Sequence, residues 1–313
     1  MILNKKILLE IITDPTYLYG IVVVIGVVAS FLFPQTLSQL SRLTTLFLAT
    51  IFFLSALKVS PKELLEIAKD PKTIIIFNLI KFIIIPLMIY AIASVTVPFI
   101  ILPLLLLAIM PPGMSSPVLA EIIGGRQSLA LVVAVTSSLL APALVPFFLK
   151  IITGVSVNIE FFPMMLSITK VVAIPFALAW ILRWLKPSMV ARINPISSYF
   201  SVLLLGLLMT GILSHQVKNV STINWTNVTI MLLSASLAVL FFYATGLIAF
   251  FKKPIVDRVT LTVGLANINF TLALFLIHQY FNTHENVLTV VCFSIPWFAC
   301  IILFKVYLRH VHR

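Results

Sequence analysis

Long apolar segments separated by short polar ones make up most of the chain. A membrane-spanning helix needs about 20 mostly apolar residues, and ten segments meet or approach that length. They run over Tyr17–Phe33, Leu43–Leu57, Thr73–Val95, Pro98–Ile123, Leu129–Ile152, Phe161–Trp184, Ser198–Leu213, Val228–Phe251, Val259–Phe281 and Val287–Val306. The pattern predicts an all-α, polytopic membrane protein with ten transmembrane helices in a single membrane domain.

Two of these spans are interrupted. The fourth contains Met110-Pro111-Pro112-Gly113, and the ninth carries polar residues between Val263 and Asn269. Irregular backbone at membrane depth is tolerated only where it is buried in protein or lines a cavity. Ten spans divide into five and five, and two copies of an odd-numbered unit insert with opposite orientations. We therefore predict two inverted repeats, residues 13–153 and 154–313, with broken crossing helices 4 and 9.

Composition supports the membrane interpretation. Hydrophobic residues form 61% of the chain and charged residues only 10%, whereas a soluble domain carries about 25% charged residues. The two cysteines, Cys292 and Cys300, lie in one apolar segment and form no disulfide framework. The chain has no HExxH motif, no paired aspartates and no phosphate-binding glycine loop. We therefore expect a protein that is not an enzyme and that uses no metal and no cofactor.

Charge placement predicts the topology. With a cytoplasmic N-terminus, the inside segments hold 16 of the 21 Lys and Arg residues and the outside loops hold 3. Cytoplasmic loops of membrane proteins are enriched in Lys and Arg, so we expect both termini to be cytoplasmic, in a cell (inner) membrane. The basic excess then needs no nucleic-acid partner. Residues 1–12 mix Lys5, Lys6 and Glu10 with apolar positions, which predicts an amphipathic segment at the cytoplasmic surface.

Three groups of motifs carry a family resemblance. They are Leu54–Pro61 with Asp70-Pro71-Lys72 and Phe82–Pro86; Pro112–Ser116 with Gly124-Gly125-Arg126 and Ala130–Thr136; and Thr262–Asn267. In order and spacing, from about Leu18 to Val306, the chain resembles the bile acid:sodium symporter superfamily, including its bacterial members. The resemblance implies a core panel of spans 3–5 and 8–10 and a gate panel of spans 1, 2, 6 and 7. It also implies organic anions as substrates, carried inward with sodium.

The chain departs from the family at its sodium ligands. Five ligand positions of the family hold other residues here. The family's glutamate is Thr262, its two glutamines are Ala266 and Lys81, its asparagine is Pro117 and its serine is Val132. Sodium needs several oxygen ligands, and an ammonium nearby repels it by an amount on the order of several kcal/mol in a partly desolvated site. The resemblance therefore places a degraded ion site at Lys81, Ser116, Thr136, Thr262 and Asn267. We hypothesise that Lys81 replaces the ion by donating hydrogen bonds to the broken ninth helix.

Further candidates follow from the broken spans and from charges at membrane depth. Substrate-binding candidates are Pro112, Gly113, Ser115, Asn267, Asn269 and Lys170. Lys170 suits a carboxylate-bearing substrate, with structural pairing as the alternative. Lys81 and Glu121 are candidates for proton coupling, because a buried lysine can give up its proton. The alternatives are a snorkelling lysine and a Glu121 paired with a basic residue at the interface.

These observations predict a secondary active transporter of small organic anions that works by alternating access. A proton or no ion is favoured over sodium for coupling. The alternatives are a sodium-dependent organic-anion symporter and an auxin-efflux-type carrier, with an intramembrane enzyme as a remote one. The expected partners are the lipid bilayer and the substrate, and the sequence is compatible with a monomer.

Overall fold

The computed structural model describes residues 15–59, 70–154, 160–217 and 225–311, and within these ranges the chain is helical with no strand. The predicted all-α class is confirmed. The predicted amphipathic segment, residues 1–12, lies outside the described residues. The helices are α1 Pro15–Leu32, α2 Pro34–Ala56, α3 Pro71–Thr96, α4 Pro98–Ile109, α5 Ser116–Ile122, α6 Gln127–Thr153, α7 Phe161–Leu185, α8 Pro187–Val217, α9 Trp225–Ala249, α10 Ile255–Ala266, α11 Phe270–Tyr280 and α12 His284–Val311.

Seven helices in the described ranges are long and apolar enough to cross a membrane. They are α2, α3, α6, α7, α8, α9 and, over His284–Leu308, α12. Helices α4 and α11 are apolar but shorter. The chain is thus a multi-pass membrane protein, as the hydrophobic pattern predicts. The count of ten spans and the inverted repeat stay predictions.

The chain divides into two compact units. The first comprises Met1–Lys58 and Lys170–Thr222, and its described part contains α1, α2, most of α7 and α8. The second comprises Val59–Thr169 and Ile223–Arg313, and contains α3 to α6, the first turns of α7, and α9 to α12. The assignment of core and gate panels to these helices stays a prediction.

Helices of the first unit are longer than the sequence predicts. The seventh apolar segment was expected over Ser198–Leu213, but α8 runs from Pro187 to Val217. Proline at the start of a helix loses no hydrogen bond, so Pro187 begins the helix. Similarly, α2 starts at Pro34 and passes through a 3₁₀ segment at Ser38–Leu43 before its regular part. Polar residues near a helix start lower the local hydropathy without breaking the helix.

A widened, π-helical turn occurs in α3 and again in α7. In α3 it covers Ile80–Ile84, where the amide of Ile85 donates to the carbonyl of Ile80. Pro86 follows, and its ring would clash with the carbonyl four residues earlier in a regular helix. In α7 the turn covers Thr169–Ala173 and is followed by Pro175. In each helix the widened turn thus ends just before a proline.

Asp70 marks the start of α3 in the second unit. Its carboxylate accepts hydrogen bonds from the amide of Thr73 at 3.1 Å and from the Thr73 hydroxyl at 2.5 Å. It also accepts from Lys253 Nζ at 2.9 Å. These hydrogen bonds lower the pKa of Asp70 from its ordinary 3.8 to about 2. The bond from the Thr73 hydroxyl contributes most, then the bond from Lys253 and then the bond from the Thr73 amide. The residue thus caps α3 and connects it to the turn that follows α9.

This cap predicts a pH dependence of stability. Because the folded pKa lies below the unfolded one, the contribution of Asp70 is complete above about pH 4 and disappears as pH falls through about 2. Asn is also a good helix cap, so Asp70→Asn is expected to remove this pH dependence while keeping the cap. The measurement is the thermal unfolding midpoint between pH 5 and pH 2. Thr73→Val should remove part of the same dependence, and equal pH profiles for wild type and Asp70→Asn would contradict the assignment.

Candidate functional site

Two helix breaks meet inside the second unit. The first lies between α4 and α5, and the second lies between α10 and α11. The amide of Gly113 donates to the carbonyl of Asn267 at 2.7 Å, and the amide of Asn269 donates to the carbonyl of Pro111 at 2.8 Å. Between them, Pro112 and Ile268 form an antiparallel bridge. The two extended stretches thus pair as a short ladder, which gives each broken helix the backbone partners that lipid could not supply.

The sequence explains both breaks. Pro111 and Pro112 have no amide hydrogen, and a residue before proline avoids the helical region, so α4 ends at Ile109. Close approach also requires Gly113, since a Cβ there would lie 3.0 Å from the carbonyl oxygen of Ile268. On the other side, α10 ends at Ala266. The next helix is capped by Asn269, whose side chain accepts from the amide of Leu272 at 3.0 Å.

Asn267 joins the two breaks through its side chain. The residue is fully buried, and its amide nitrogen donates to Ser116 Oγ at 2.9 Å and to Ser115 Oγ at 3.1 Å. Ser116 Oγ in turn donates to the backbone carbonyl of Asn267 at 3.3 Å. The other side-chain atom of Asn267, Oδ1, is buried without a hydrogen-bond partner among the described residues. One acceptor therefore remains available at the point where the helices meet.

Lys81 lies in the π turn of α3 and is fully buried. Its Nζ donates to the carbonyl of Leu265 at 3.1 Å and lies 5.2 Å from the ring centroid of Phe242. Leu265 is in the last turn of α10, where backbone carbonyls lack helical partners and the helix carries partial negative charge. An ammonium is therefore held against the end of the broken helix, two residues before Asn267.

Thr262 and Thr136, two other candidates for the ion site, bind their own helices. Thr262 Oγ1 donates to the carbonyl of Arg258 at 2.7 Å. Thr136 Oγ1 donates to the carbonyl of Val132 at 2.8 Å, and the residue lines an apolar groove of about 590 Å³ between α3 and α6. Asn267 is therefore hydrogen-bonded to both Ser115 and Ser116. Among the described contacts, neither Thr136 nor Thr262 bonds to any of these three residues.

Lys170 and Glu121 are both exposed. Lys170 belongs to the first unit and lies in the π turn of α7, ten residues into the helix. Glu121 lies in the last turn of α5 in the second unit. The roles assigned to them stay predictions, as do those of the other candidates.

Sequence reasoning assigned no role to several residues that connect the helices of the site. Asn78 accepts a hydrogen bond from Ser137 Oγ at 2.8 Å, which ties α3 to α6. The amide of Arg126 donates to Thr260 Oγ1 at 2.6 Å, and its guanidinium pairs with Asp257 at 3.0 Å. Asp257 lies in the first turn of α10. The sequence gives one signal for the pair of Asp257 and Arg126, because an acidic residue is favourable at a helix start. Residue spacing does not identify Arg126 as the partner.

The described ranges contain no group of three or more His, Cys, Asp or Glu side chains that could hold a metal ion. They also contain no buried Asp or Glu. The site is therefore assembled from hydroxyls, amides, backbone carbonyls and one ammonium.

Comparison with known proteins gives two findings. The sequence profile described as the sodium bile acid symporter family matches residues 45–223, more than half of the chain. A Bacillus subtilis (strain 168) protein described as the uncharacterized sodium-dependent transporter YocS is 22% identical over 251 residues. That alignment covers 80% of this chain and 78% of the relative.

Proposed function

We propose, from the premise that the chain belongs to the sodium bile acid symporter family, that it is a secondary active transporter of small organic anions. It works by alternating access, and its transport does not require sodium. Membership in a transporter family accounts for the multi-pass helices and the paired helix breaks, and we expect no catalytic activity. A proton, or no coupling ion, takes the place of sodium.

The contact between Lys81 and Leu265 is the observation that carries this proposal. A buried ammonium already donates to a carbonyl at the end of α10, 3.1 Å away. A sodium ion next to the protonated lysine would be repelled, because both are positively charged in a poorly solvated interior. No buried Asp or Glu of the described chain offsets that repulsion. Lys81 thus supplies a cation at the place where the resemblance puts a sodium ligand, and release of its proton is the candidate route for proton coupling.

Positive charge in each unit, taken separately, favours an anionic substrate. The N-terminus of α11 begins at Phe270, directly after the paired breaks, and helix N-termini carry partial positive charge. Discontinuous helices in transporters direct such ends toward anionic substrate groups. Lys170 is a second cation at membrane depth, and α7 contains no acidic residue between Phe161 and Leu185. We assign it to the substrate carboxylate, since unpaired charges within spans are costly unless they serve a function.

The same proposal includes the finer topology. We propose ten spans in two inverted repeats, with α4 and α5 forming the broken fourth span and α10 and α11 the broken ninth. The core panel then consists of spans 3–5 and 8–10, and the gate panel consists of spans 1, 2, 6 and 7. Both termini are cytoplasmic in an inner membrane, which the 16 to 3 distribution of basic residues supports.

A sodium-dependent symporter of the same anions is the second candidate. The Bacillus subtilis relative is described as sodium-dependent. In this chain, Asn267 Oδ1 is a buried oxygen without a donor, and the hydroxyls of Ser115 and Ser116 lie within hydrogen-bond distance of the same side chain. These oxygens are ligands that a cation could use if Lys81 were displaced.

Uptake by reconstituted protein separates the two candidates. Purified protein in liposomes is tested with a panel of small carboxylates and bile acids, with external sodium replaced by potassium, at two pH values. Protein-free liposomes are the control. We expect uptake of at least one carboxylate in both salts. A dependence on pH would favour proton coupling, and its absence would favour transport without a coupling ion. Uptake that requires sodium would favour the symporter. Absence of uptake of every anion in both salts would contradict the substrate class.

A further inference from the structure

The described part of the first unit contains cations and no carboxylate. Its six basic residues are Arg42, Lys58, Lys170, Arg183, Lys186 and Arg192, and its sequence over residues 15–58 and 170–217 has no Asp or Glu. The second unit differs, because there Asp70 pairs with Lys253 and Asp257 pairs with Arg126. Within the described residues, the cations of the first unit therefore have no carboxylate of the same unit as a partner.

Two of these cations converge at the end of α2. Lys58 follows the last turn of α2 by two residues, and its Nζ donates to Ser198 Oγ of α8 at 2.7 Å. Arg183, in the last turn of α7, donates through Nη2 to the carbonyl of Leu57. The Arg183 guanidinium thus lies at the backbone of Leu57, the residue before Lys58, and the Lys58 ammonium lies at Ser198 of α8.

Both cations keep donors that the described contacts do not use. Arg183 Nε is buried and has no acceptor among the described residues. The Lys58 ammonium has three hydrogens, and one acceptor is identified. Ser201 Oγ, three residues after Ser198, is also buried without a partner in that part of the chain. Desolvation lowers the pKa of Lys58, which a bound anion would reverse. A group with several negatively charged oxygens would accept from the remaining Lys58 hydrogens and offset the charge of Arg183.

Guanidinium, ammonium and hydroxyl donors are the set that proteins use for phosphate groups. The location favours lipid as the source. Helices α2, α7 and α8 are each long and apolar enough to cross a membrane, and the donors lie at helix ends. Trp180 and Trp184, on the flank of the α7 end, are exposed, and tryptophan is enriched where membrane meets water. Lipid phosphates lie at the same level.

We propose that the end of α2 in the first unit binds the phosphate of an anionic phospholipid, held by Lys58 and Arg183. The free hydrogens of the exposed Lys58 ammonium and the half-buried Arg183 guanidinium bind the phosphate oxygens, while Ser198 orients the lysine. The bound lipid offsets the positive charge at this end of the unit. The residues of this site belong to the first unit, whereas the helix breaks and Lys81 belong to the second, and the proposal does not depend on which anion is transported.

The test uses delipidated, purified full-length protein and its thermal unfolding midpoint. Phosphatidylglycerol is expected to raise the midpoint more than phosphatidylcholine, because binding to the folded state stabilises it. In Lys58→Gln and in Arg183→Gln, the increase in midpoint caused by phosphatidylglycerol should be less than half of the increase in the wild type. Lys186→Gln is the matched control, since Lys186 is an exposed cation near the same helix end, and it should keep the full rise. If Arg183→Gln does not fold, Lys58→Gln carries the test alone.

Further experiments identify the group that supplies the negative charge at this site. Inorganic phosphate at millimolar concentration should not reproduce the effect of phosphatidylglycerol; if it does, the site binds a free anion and the lipid proposal is wrong. Glu63 and Glu66 lie outside the described residues, and Glu63→Gln with Glu66→Gln should leave the lipid response unchanged. A response that appears only in this double variant would show that the chain's own carboxylates occupy the site. Equal effects of the two lipids, or equal losses in Lys58→Gln and Lys186→Gln, would also overturn the proposal.

Discussion

Lys81→Met is expected to fold and to lose transport. The substitution removes the ammonium that donates to the Leu265 carbonyl and lies over Phe242. Replacing a buried ionic group by an apolar one of similar size is often neutral or stabilising. Against this, the Leu265 carbonyl loses its donor, which costs about 1–3 kcal/mol. The two effects oppose each other, so the unfolding midpoint should change little.

Transport should respond much more strongly. Without the ammonium, the end of α10 loses its positive partner, and we expect uptake to fall at least about tenfold, which corresponds to about 1.4 kcal/mol. The measurement is initial uptake in liposomes at equal protein content. Lys252→Met is the matched control, because Lys252 is exposed beyond the end of α9. Normal uptake by folded Lys81→Met would show that the lysine is a packing residue without a role in transport.

Gly246→Ala is expected to have the largest effect on stability. A Cβ at Gly246 would lie 2.6 Å from the Cα of Thr262 and 2.8 Å from its Oγ1. The Cα cannot rotate away, so α9 and α10 must separate. Overpacking of this kind costs about 1–3 kcal/mol, and the unfolding midpoint should fall by several degrees. Because Phe242 lies one turn earlier on α9, the same separation should disturb Lys81 and lower uptake.

Two further variants make this expectation specific. Ala244→Val adds volume at an exposed position of the same helix and should leave the midpoint unchanged. Adding Thr262→Ala to Gly246→Ala removes Oγ1 but not the Cα, so it should restore only part of the stability. Full recovery in the double variant, or no loss in Gly246→Ala, would contradict the close packing of α9 against α10.

The hydrophobic pattern alone predicts much of the fold. It identifies the all-α membrane class, and Met110–Gly113 predicts the first break because consecutive prolines cannot continue a helix. The second break is less accurately predicted. It was expected from Val263, but α10 continues to Ala266, because a single glycine is tolerated within a helix. Gly264 instead lies where a Cβ would approach the Phe77 ring at 3.1 Å.

The site is only partly predictable from the sequence. Lys81 stands out because charge is rare at membrane depth, and its hypothesised donation to the broken helix matches the bond to Leu265. Its neighbours Phe242 and Gly246 gave no signal, since aromatic and small residues are common in every span. The bond between Ser137 and Asn78 joins residues 59 positions apart. Such pairings depend on how helices pack, which residue spacing does not encode.

The recurrence of Lys and Pro at a five-residue step is a sequence signal with a structural result. Lys81 with Pro86 and Lys170 with Pro175 each fall in a π turn followed by proline. The sequence showed the repeated spacing but not its consequence. A proline excludes the regular hydrogen bond, and the widened turn is one of the ways in which a helix accommodates this. The burial of Lys81 and the exposure of Lys170 could not be predicted from that spacing.

The most direct test of the central claim is whether sodium binds. Purified wild-type protein is unfolded thermally in sodium chloride and in potassium chloride at equal ionic strength, over a range of concentrations. A ligand that binds the folded state must raise the midpoint as its concentration rises. If Lys81 occupies the place of the ion, the midpoints in the two salts will coincide at every concentration. A rise specific to sodium would contradict this, and would mean that the chain binds sodium despite Lys81 and Thr262.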